Sequence, residues 1–276
     1  FTVGIFLLVQ ALLVGFALRF RRRRRGRFED GAPIHGSSRL ELAWTVGPVL
    51  ILFVIATFLF VKLPGIRDVP TASAADALEV EIVGQQYYWQ YHYANGVVAV
   101  DELRVPLGRV VRFKVTAPDW DVIHSWWVPA MGGKIDAIPG RTNTTWLKAK
   151  RLGTFHGQCA ELCGLKHAKM TATVEVMPAA EFDAWLAQRA QQQASGTSPL
   201  GEETYAGACS KCHGLAGQGG YGPQLKGSSL LEDAGAIETL LRNGRNAMPP
   251  VGKDWSDAQM KAVTDYLGKD PFGSGS

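Results

Sequence analysis

Cysteine is scarce in this 276-residue chain, which has four: Cys159, Cys163, Cys209 and Cys212. All four fall into one CxxxC pair and one CxxCH pair, so none remains for the disulfide framework that staples small exported domains. Basic charge is equally scarce outside one place. Residues 1–63 carry nine Lys and Arg against three acids, 64–200 balance at thirteen each, and 201–276 carry seven against nine. The net charge of +4 therefore traces to the single run RFRRRRRGR at 19–27. Such a run reads as a solvated or lipid-headgroup segment, and with no basic face elsewhere a nucleic-acid partner is excluded.

Charge is missing altogether from two stretches. Residues 1–18 are uncharged and mostly apolar, and the chain starts without Met. A signal peptide shows its charges before the apolar run, so 1–18 reads as a membrane span whose beginning was processed or lies outside the sequence. Residues 42–61 are twenty uncharged positions, about 30 Å as a helix and matched to a bilayer core. Domain 1–63 is thus expected to be a two-helix transmembrane hairpin in the cell membrane, in contact with lipid. The positive-inside bias puts its Arg-rich loop in the cytoplasm and both chain ends, with everything after Lys62, outside.

Residues 64–76, with Pro, Gly and small side chains, read as a linker. Short alternating segments follow: LEVEIV (78–83), RVVRFKV (109–115) and MTATVEV (170–176), with WQYHY and TTWLKA between them. Period-two patterning rich in Val, Ile, Tyr and Trp, broken by Gly and Pro, predicts a β-sandwich over 77–193, closed by a short helix at 179–193. The composition then shifts to small and polar residues in ASGTSPLG, which predicts a flexible linker at 194–201. A second domain at 202–270, with helices near 202–212, 233–243 and 256–268, precedes a tail at 271–276.

The chemistry lies in two motifs. CAELCGLKHAKM (159–170) places two thiols, an imidazole and a thioether within twelve residues. Cys159, Cys163, His167 and Met170 are the soft and borderline ligands that select copper. A disulfide or a zinc site is the ordinary alternative, but zinc has little use for a thioether. Two cysteines four apart can also bridge a pair of metal ions, and a second histidine is available in His124 of DVIHSWWVPAMGGKIDAIPGR (121–141). The second motif is ACSKCHG, whose CxxCH offers Cys209 and Cys212 for thioether bonds to haem and His213 as an iron ligand. A chance redox or zinc motif is its ordinary reading.

These segments together resemble the CuA domain of cytochrome c oxidase subunit II. The resemblance covers roughly residues 35–178, from HGSSRLELAWT through GQQYYWQYHY (84–93) to the copper loop. It implies a Greek-key cupredoxin in which Cys159 and Cys163 bridge two coppers, His124 and His167 bind one each, Met170 is a weak axial ligand and the Glu161 carbonyl completes the set. The Glu161 carboxylate is then expected to bind magnesium at the contact with subunit I. Glu41, in LELAWT, would lie at the mouth of a proton path. Tyr87 stands where the family commonly has Trp on the electron route from a soluble cytochrome c, and Trp89 lies close by, so both are candidates for an electron path.

GYGPQLKG (220–227) and RNGRNAMPPVG (242–252) resemble class I cytochrome c, in which a Met in an MPP context is the second axial ligand. That assigns Met248; Met260, in a capped amphipathic helix, is expected to pack in the core. The resemblance as a whole implies a multidomain membrane protein of caa3 type, in which haem c passes electrons to CuA and on to subunit I (haems a and a3, CuB), where oxygen is reduced. Subunit III and an external cytochrome c or a quinol-oxidising complex are the further partners implied. Two other readings stay open: the electron-accepting subunit of a CuA-type nitric oxide reductase, and a membrane-anchored carrier or copper-binding assembly protein without a permanent partner.

Overall fold

The computed structural model describes residues 1–21, 36–67, 69, 76–269 and 271–272. Most of the Arg-rich loop, the 64–76 linker from 70 to 75, and the last four residues of the tail lie outside them. The chain divides into two compact units, Phe1–Leu59 and Phe60–Ser276. The first holds helix α1 (Thr2–Arg19) and most of helix α2 (Ser38–Arg67). Both helices are long and apolar enough to cross a membrane, and neither buries its apolar stretch inside the protein. Side chains such as Phe6, Leu12, Leu52 and Phe53 stand fully outward, an arrangement that water would penalise and a bilayer rewards.

The second unit begins with a β-sandwich of two five-stranded sheets. One contains β1 (Leu78–Gln85), β2 (Tyr88–Tyr93), β3 (Val98–Val100), β5 (Val110–Thr116) and β8 (Asn143–Lys148) in the order β3-β2-β1-β5-β8. The other contains β4 (Glu102–Pro106), β6 (His124–Trp127), β7 (Ile135–Ala137), β9 (Gly153–Cys159) and β10 (Thr171–Met177) in the order β4-β10-β9-β6-β7. β1 pairs in parallel with β5, and β10 with β4, while the other pairings are antiparallel. This is the long-range crossing of a Greek key. Alternation sends Val80, Ile82, Phe113, Val115, Leu103 and Val174 into one shared core; each fully buried aliphatic or Phe side chain contributes about 1.5–3 kcal/mol.

Two features of the sandwich position the rest. The chain leaves the first sheet for the second at Asp101, whose backbone is left-handed (φ 57°), a conformation Asp tolerates better than most residues. Its N–H donates to the Trp89 carbonyl, its carboxylate accepts from the Trp89 N–H (2.8 Å), and its carbonyl accepts from Thr173 N–H. Strand β2, moreover, is buried on both faces. Trp89, Tyr91 and Tyr93 face the sandwich core, whereas Tyr88 joins Val98 and Val100 in a second buried cluster with Leu200, Tyr205, Cys209, Val251 and Trp255.

That second cluster belongs to the helical part. Helix α3 (Ala179–Ser195) packs Phe182 beneath Tyr93 and ends at Gly196 in a left-handed turn, with Thr197 and Ser198 N–H groups donating to the Gln192 carbonyl. Leu200, already buried, opens helix α4 (Leu200–Thr204), which runs through a π-helical turn (Tyr205–Cys209) into helix α5 (Ser210–His213). Helices α6 (Ala234–Asn243) and α7 (Asp257–Gly268) follow. Asp233 caps α6 and Ser256 caps α7, each accepting from a first-turn N–H.

Candidate metal centre

In the second sheet β10, β9 and β6 are neighbours, so the end of β9 and the starts of β6 and β10 meet at one edge of the sandwich. Cys159 closes β9, His124 opens β6, and Met170 immediately precedes β10. Register locks them: Trp126 pairs with Cys159, Cys159 N–H donates to the Met170 carbonyl (2.8 Å), and Ala160 N–H to the Ser125 carbonyl (2.9 Å). The loop between Cys159 and Met170 carries Cys163 back underneath.

The result is a buried cluster of soft donors. Ligand atoms of His124, Cys159 and Cys163 all lie within 4.8 Å of one another. Cys163 Sγ is 3.5 Å from His167 Nδ1 and 3.8 Å from Met170 Sδ, and Cys159 Sγ is 3.2 Å from the Glu161 carbonyl oxygen. His124 and Met170 are completely buried and the two cysteines nearly so. His124 Nε2 lies 3.4 Å from Asp121 Oδ1, whereas its buried Nδ1 has no hydrogen-bond partner. A buried ring held through one nitrogen beside two thiols, with its other nitrogen unpaired, suits a metal ligand.

Electrostatics agree with an anionic pair. Cys159 is held well below the ordinary thiol range, chiefly by the hydrogen bond from Cys163 and, against burial, by His124 and backbone groups of Ser125 and Glu161. Cys163 is correspondingly pushed up, first because its thiol donates the hydrogen bond to Cys159, then by burial and by the negative charge beside it. Two thiols sharing one proton leave a site where a cation takes that proton's place. For His124, burial works to lower the pKa, yet Asp121 and Cys159 outweigh it and the net shift is upward.

Glu161 presents its carbonyl to the cluster while its side chain is exposed and joins no group of three or more His, Cys, Asp or Glu among the described residues. Trp89 meets the His124 ring edge to face at 6.0 Å. Gly84 lies beneath both: a Cβ there would come within 2.9 Å of the Trp89 ring and 3.1 Å of His124. Tyr87 packs on the cysteine loop, its hydroxyl accepting from Leu165 N–H (3.2 Å), and neighbouring Gln86 donates its side-chain amide to the Cys163 carbonyl (2.5 Å). Glu41 stands exposed in the first turn of α2.

The second motif lies at the end of the α4–α5 helix. Cys209 is buried and Cys212 half-buried, and burial pushes the Cys209 thiol up to about 12. His213 Nδ1 donates to the Pro223 carbonyl (2.7 Å), which leaves Nε2 as the lone-pair nitrogen. Gly222 makes room for that ring, since a Cβ would fall 2.6–3.0 Å from three of its atoms. Met248 is half-buried on a turn closed by mutual backbone hydrogen bonds with Arg245. Met260 is 2 % exposed and its methyl fills space against Gly252.

Several residues that the sequence did not single out matter here. Asp121 orients His124 and also accepts from Gln86 N–H (2.9 Å). Tyr88, Asp101, Lys211 and Trp255 join the sandwich to the helical part. The available signal was YYWQYHY, too aromatic on both faces for a strand with one side in water. His156 lies exposed on β9.

Comparison with known proteins now adds to this geometry. Residues 1–61 match the family model for the transmembrane domain of cytochrome c oxidase subunit II, and 95–177 that for its periplasmic domain. Residues 198–267 match the model described as cytochrome c oxidase, cbb3-type, subunit III. Cytochrome c oxidase subunit 2 of Alkalihalophilus pseudofirmus is 32% identical over 96% of this chain and 84% of its own length. The probable subunit 2 of Rickettsia bellii is 35% identical over 71% of this chain and 77% of its own. A crystal structure of the periplasmic domain of subunit II of cytochrome oxidase from Bradyrhizobium japonicum is 38% identical, covering 42% of this chain and 94% of that one, with a TM-score of 0.40. Two apolar helices, a sandwich with a thiol-rich cluster and a helical CxxCH domain thus come together in a chain that belongs to the cytochrome c oxidase subunit II family and carries a cytochrome c domain at its C-terminal end.

Proposed function

We propose that this chain is the electron-accepting subunit of a caa3-type oxidase, taking electrons at haem c, passing them to a dinuclear CuA centre and on to haem in subunit I. The observation that carries the reading is the buried His124 ring, one nitrogen unpaired, within reach of the Cys159–Cys163 pair, with His167 Nδ1 and Met170 Sδ close to the second thiol. Cys159, Cys163, His124, His167, Met170 and the Glu161 carbonyl would hold copper; Cys209, Cys212, His213 and Met248 would hold haem. Bound there, the two groups would supply one-electron redox centres.

The protein's own part is positioning. Asp121 and Gln86 tie the His124 loop and the cysteine loop to the β1–β2 turn, so the donors are fixed before any metal arrives. Burial of Met170 and both cysteines keeps water away. On this reading Glu161 shares a magnesium with groups from subunit I, and Glu41 lies at the mouth of a proton path. Tyr87 and Trp89 flank the electron route. The sandwich and the cytochrome domain face the extracytoplasmic side of the cell membrane, with subunit III in the complex and an external cytochrome c or quinol-oxidising complex as donor.

The test is metal content with paramagnetic resonance of the purified, air-oxidised complex. The expected result is two coppers per covalently bound haem of this chain beyond those of subunit I, with one unpaired electron split by both copper nuclei. A single copper, or none beside a normal haem spectrum, overturns the CuA assignment. Oxygen consumption by the complex then separates an oxidase from a nitric oxide reductase.

A further inference from the structure

We infer that Lys211 and Asp101 form a lock that holds the haem-attachment segment in one fixed pose on the copper domain, with Tyr87 bridging the two. Lys211 is a positioning residue in this scheme, and the inference rests on the relay reading above. The lysine lies between Cys209 and Cys212, yet its ammonium reaches out of its own domain. It donates to Asp101 Oδ2 (2.6 Å) and to the Tyr87 carbonyl (2.8 Å), and its side chain is only 11% exposed.

Both acceptors are rigid. Asp101 is pinned at the crossing between the sheets, its other carboxylate oxygen taken by Trp89 N–H. Tyr87 accepts from Lys211 through its carbonyl and from Leu165, two residues past Cys163, through its hydroxyl. One residue is thereby hydrogen-bonded to both cofactor-carrying segments. Its ring fits because position 164 is glycine: a Cβ there would stand 2.9 Å from the hydroxyl and 3.3 Å from Cε1.

The surface around the lock fits closely. A Cβ on Gly207, one turn before Lys211, would come within 2.4 Å of Val100 Cγ1, so helix backbone lies directly on β3. Trp255 donates to the Tyr88 hydroxyl (2.8 Å), which donates to the Val251 carbonyl (3.2 Å). A largely buried ion pair such as this one adds little net stability but penalises any pose that leaves one charge alone. Selecting one pose is what electron transfer requires, because the rate falls steeply with distance between centres.

The experiment uses the full chain in its loaded complex, with Lys211→Met and, on the opposite domain, Asp101→Asn. Two readouts are taken: the haem-to-copper transfer rate after a light-triggered electron injection, and the haem–copper distance distribution from dipolar paramagnetic resonance. With haem and copper spectra unchanged, both variants are expected to broaden the distance distribution. Transfer should slow severalfold in both variants, because electronic coupling between the two centres falls steeply with each added ångström. Wild-type rates and an unbroadened distribution in both variants would overturn the lock. A wild-type protein holding both metals but transferring no electrons would instead sink the relay, while the distance distributions would still decide the lock. Should Lys211→Met fail to take up haem, Asp101→Asn carries the test.

Discussion

The two cysteine pairs are nearly alike in sequence and opposite in surroundings. Cys159 and Cys163 lie among donors and charges: His124, His167, backbone groups of Ser125 and Glu161, and Asp121 one residue beyond. That environment favours an anion and holds Cys159 below the ordinary thiol range. Cys209 packs with Tyr205, Val251 and Trp255, an apolar setting that keeps its thiol neutral. The first pair suits reversible ligation of a cation, the second a permanent bond to an apolar macrocycle. Spacing alone says little about which; the neighbours decide.

The sharpest way to break this contrast is Cys159→Ser. Because the pair acts as a unit, the dinuclear copper signal is expected to vanish entirely while haem absorption stays intact. Copper absorption that survives unchanged would show that the thiols do not bridge. On the haem side, Met248→Ala should lower the midpoint potential by on the order of 0.1 V, a fraction of the roughly 0.8 V that axial ligands span. Met260→Ala should instead cost about 2–5 kcal/mol of stability as a core cavity, read from denaturant unfolding, and leave the potential alone. The reverse pattern would exchange the two roles.

The smallest effect is expected at the edge of the copper side. Asp136 accepts from Ser125 Oγ (2.7 Å), the residue after His124, and this bond, with help from Lys134, holds its carboxyl below the usual range against burial. A depressed carboxyl stabilises the fold fully above its ordinary value of about 4 and loses that contribution as pH falls through the lower folded value. Asp136 is 41% exposed, so Asp136→Asn should cost under ~1 kcal/mol at pH 7 after solvent screening. The difference from wild type should shrink in acid, as melting curves at pH 7 and pH 3 would show.

Much of this was legible in the chain itself. Alternation at 78–83, 109–115 and 170–176 became β1, β5 and β10, because a pleated strand with one buried face can bury only every second residue. The apolar runs became α1 and α2, and CxxxCxxxHxxM gathered its donors because a short loop returning to the same strand edge cannot spread them. His124, 35 residues upstream of Cys159, was available as a second histidine, but only family resemblance assigned it to the site, since sheet neighbours are set by topology rather than by spacing.

The cysteine and histidine motifs, the apolar spans and the strand periods were determined by sequence, because each depends on residues close together in the chain. What only the tertiary structure decided is the meeting of the two domains. Lys211 lies between the two cysteines of the CxxCH motif, and Asp101 at the crossing between the two sheets. Their 2.6 Å contact exists because β2 is covered on its second face by the helical domain, a long-range pairing that no local pattern encodes.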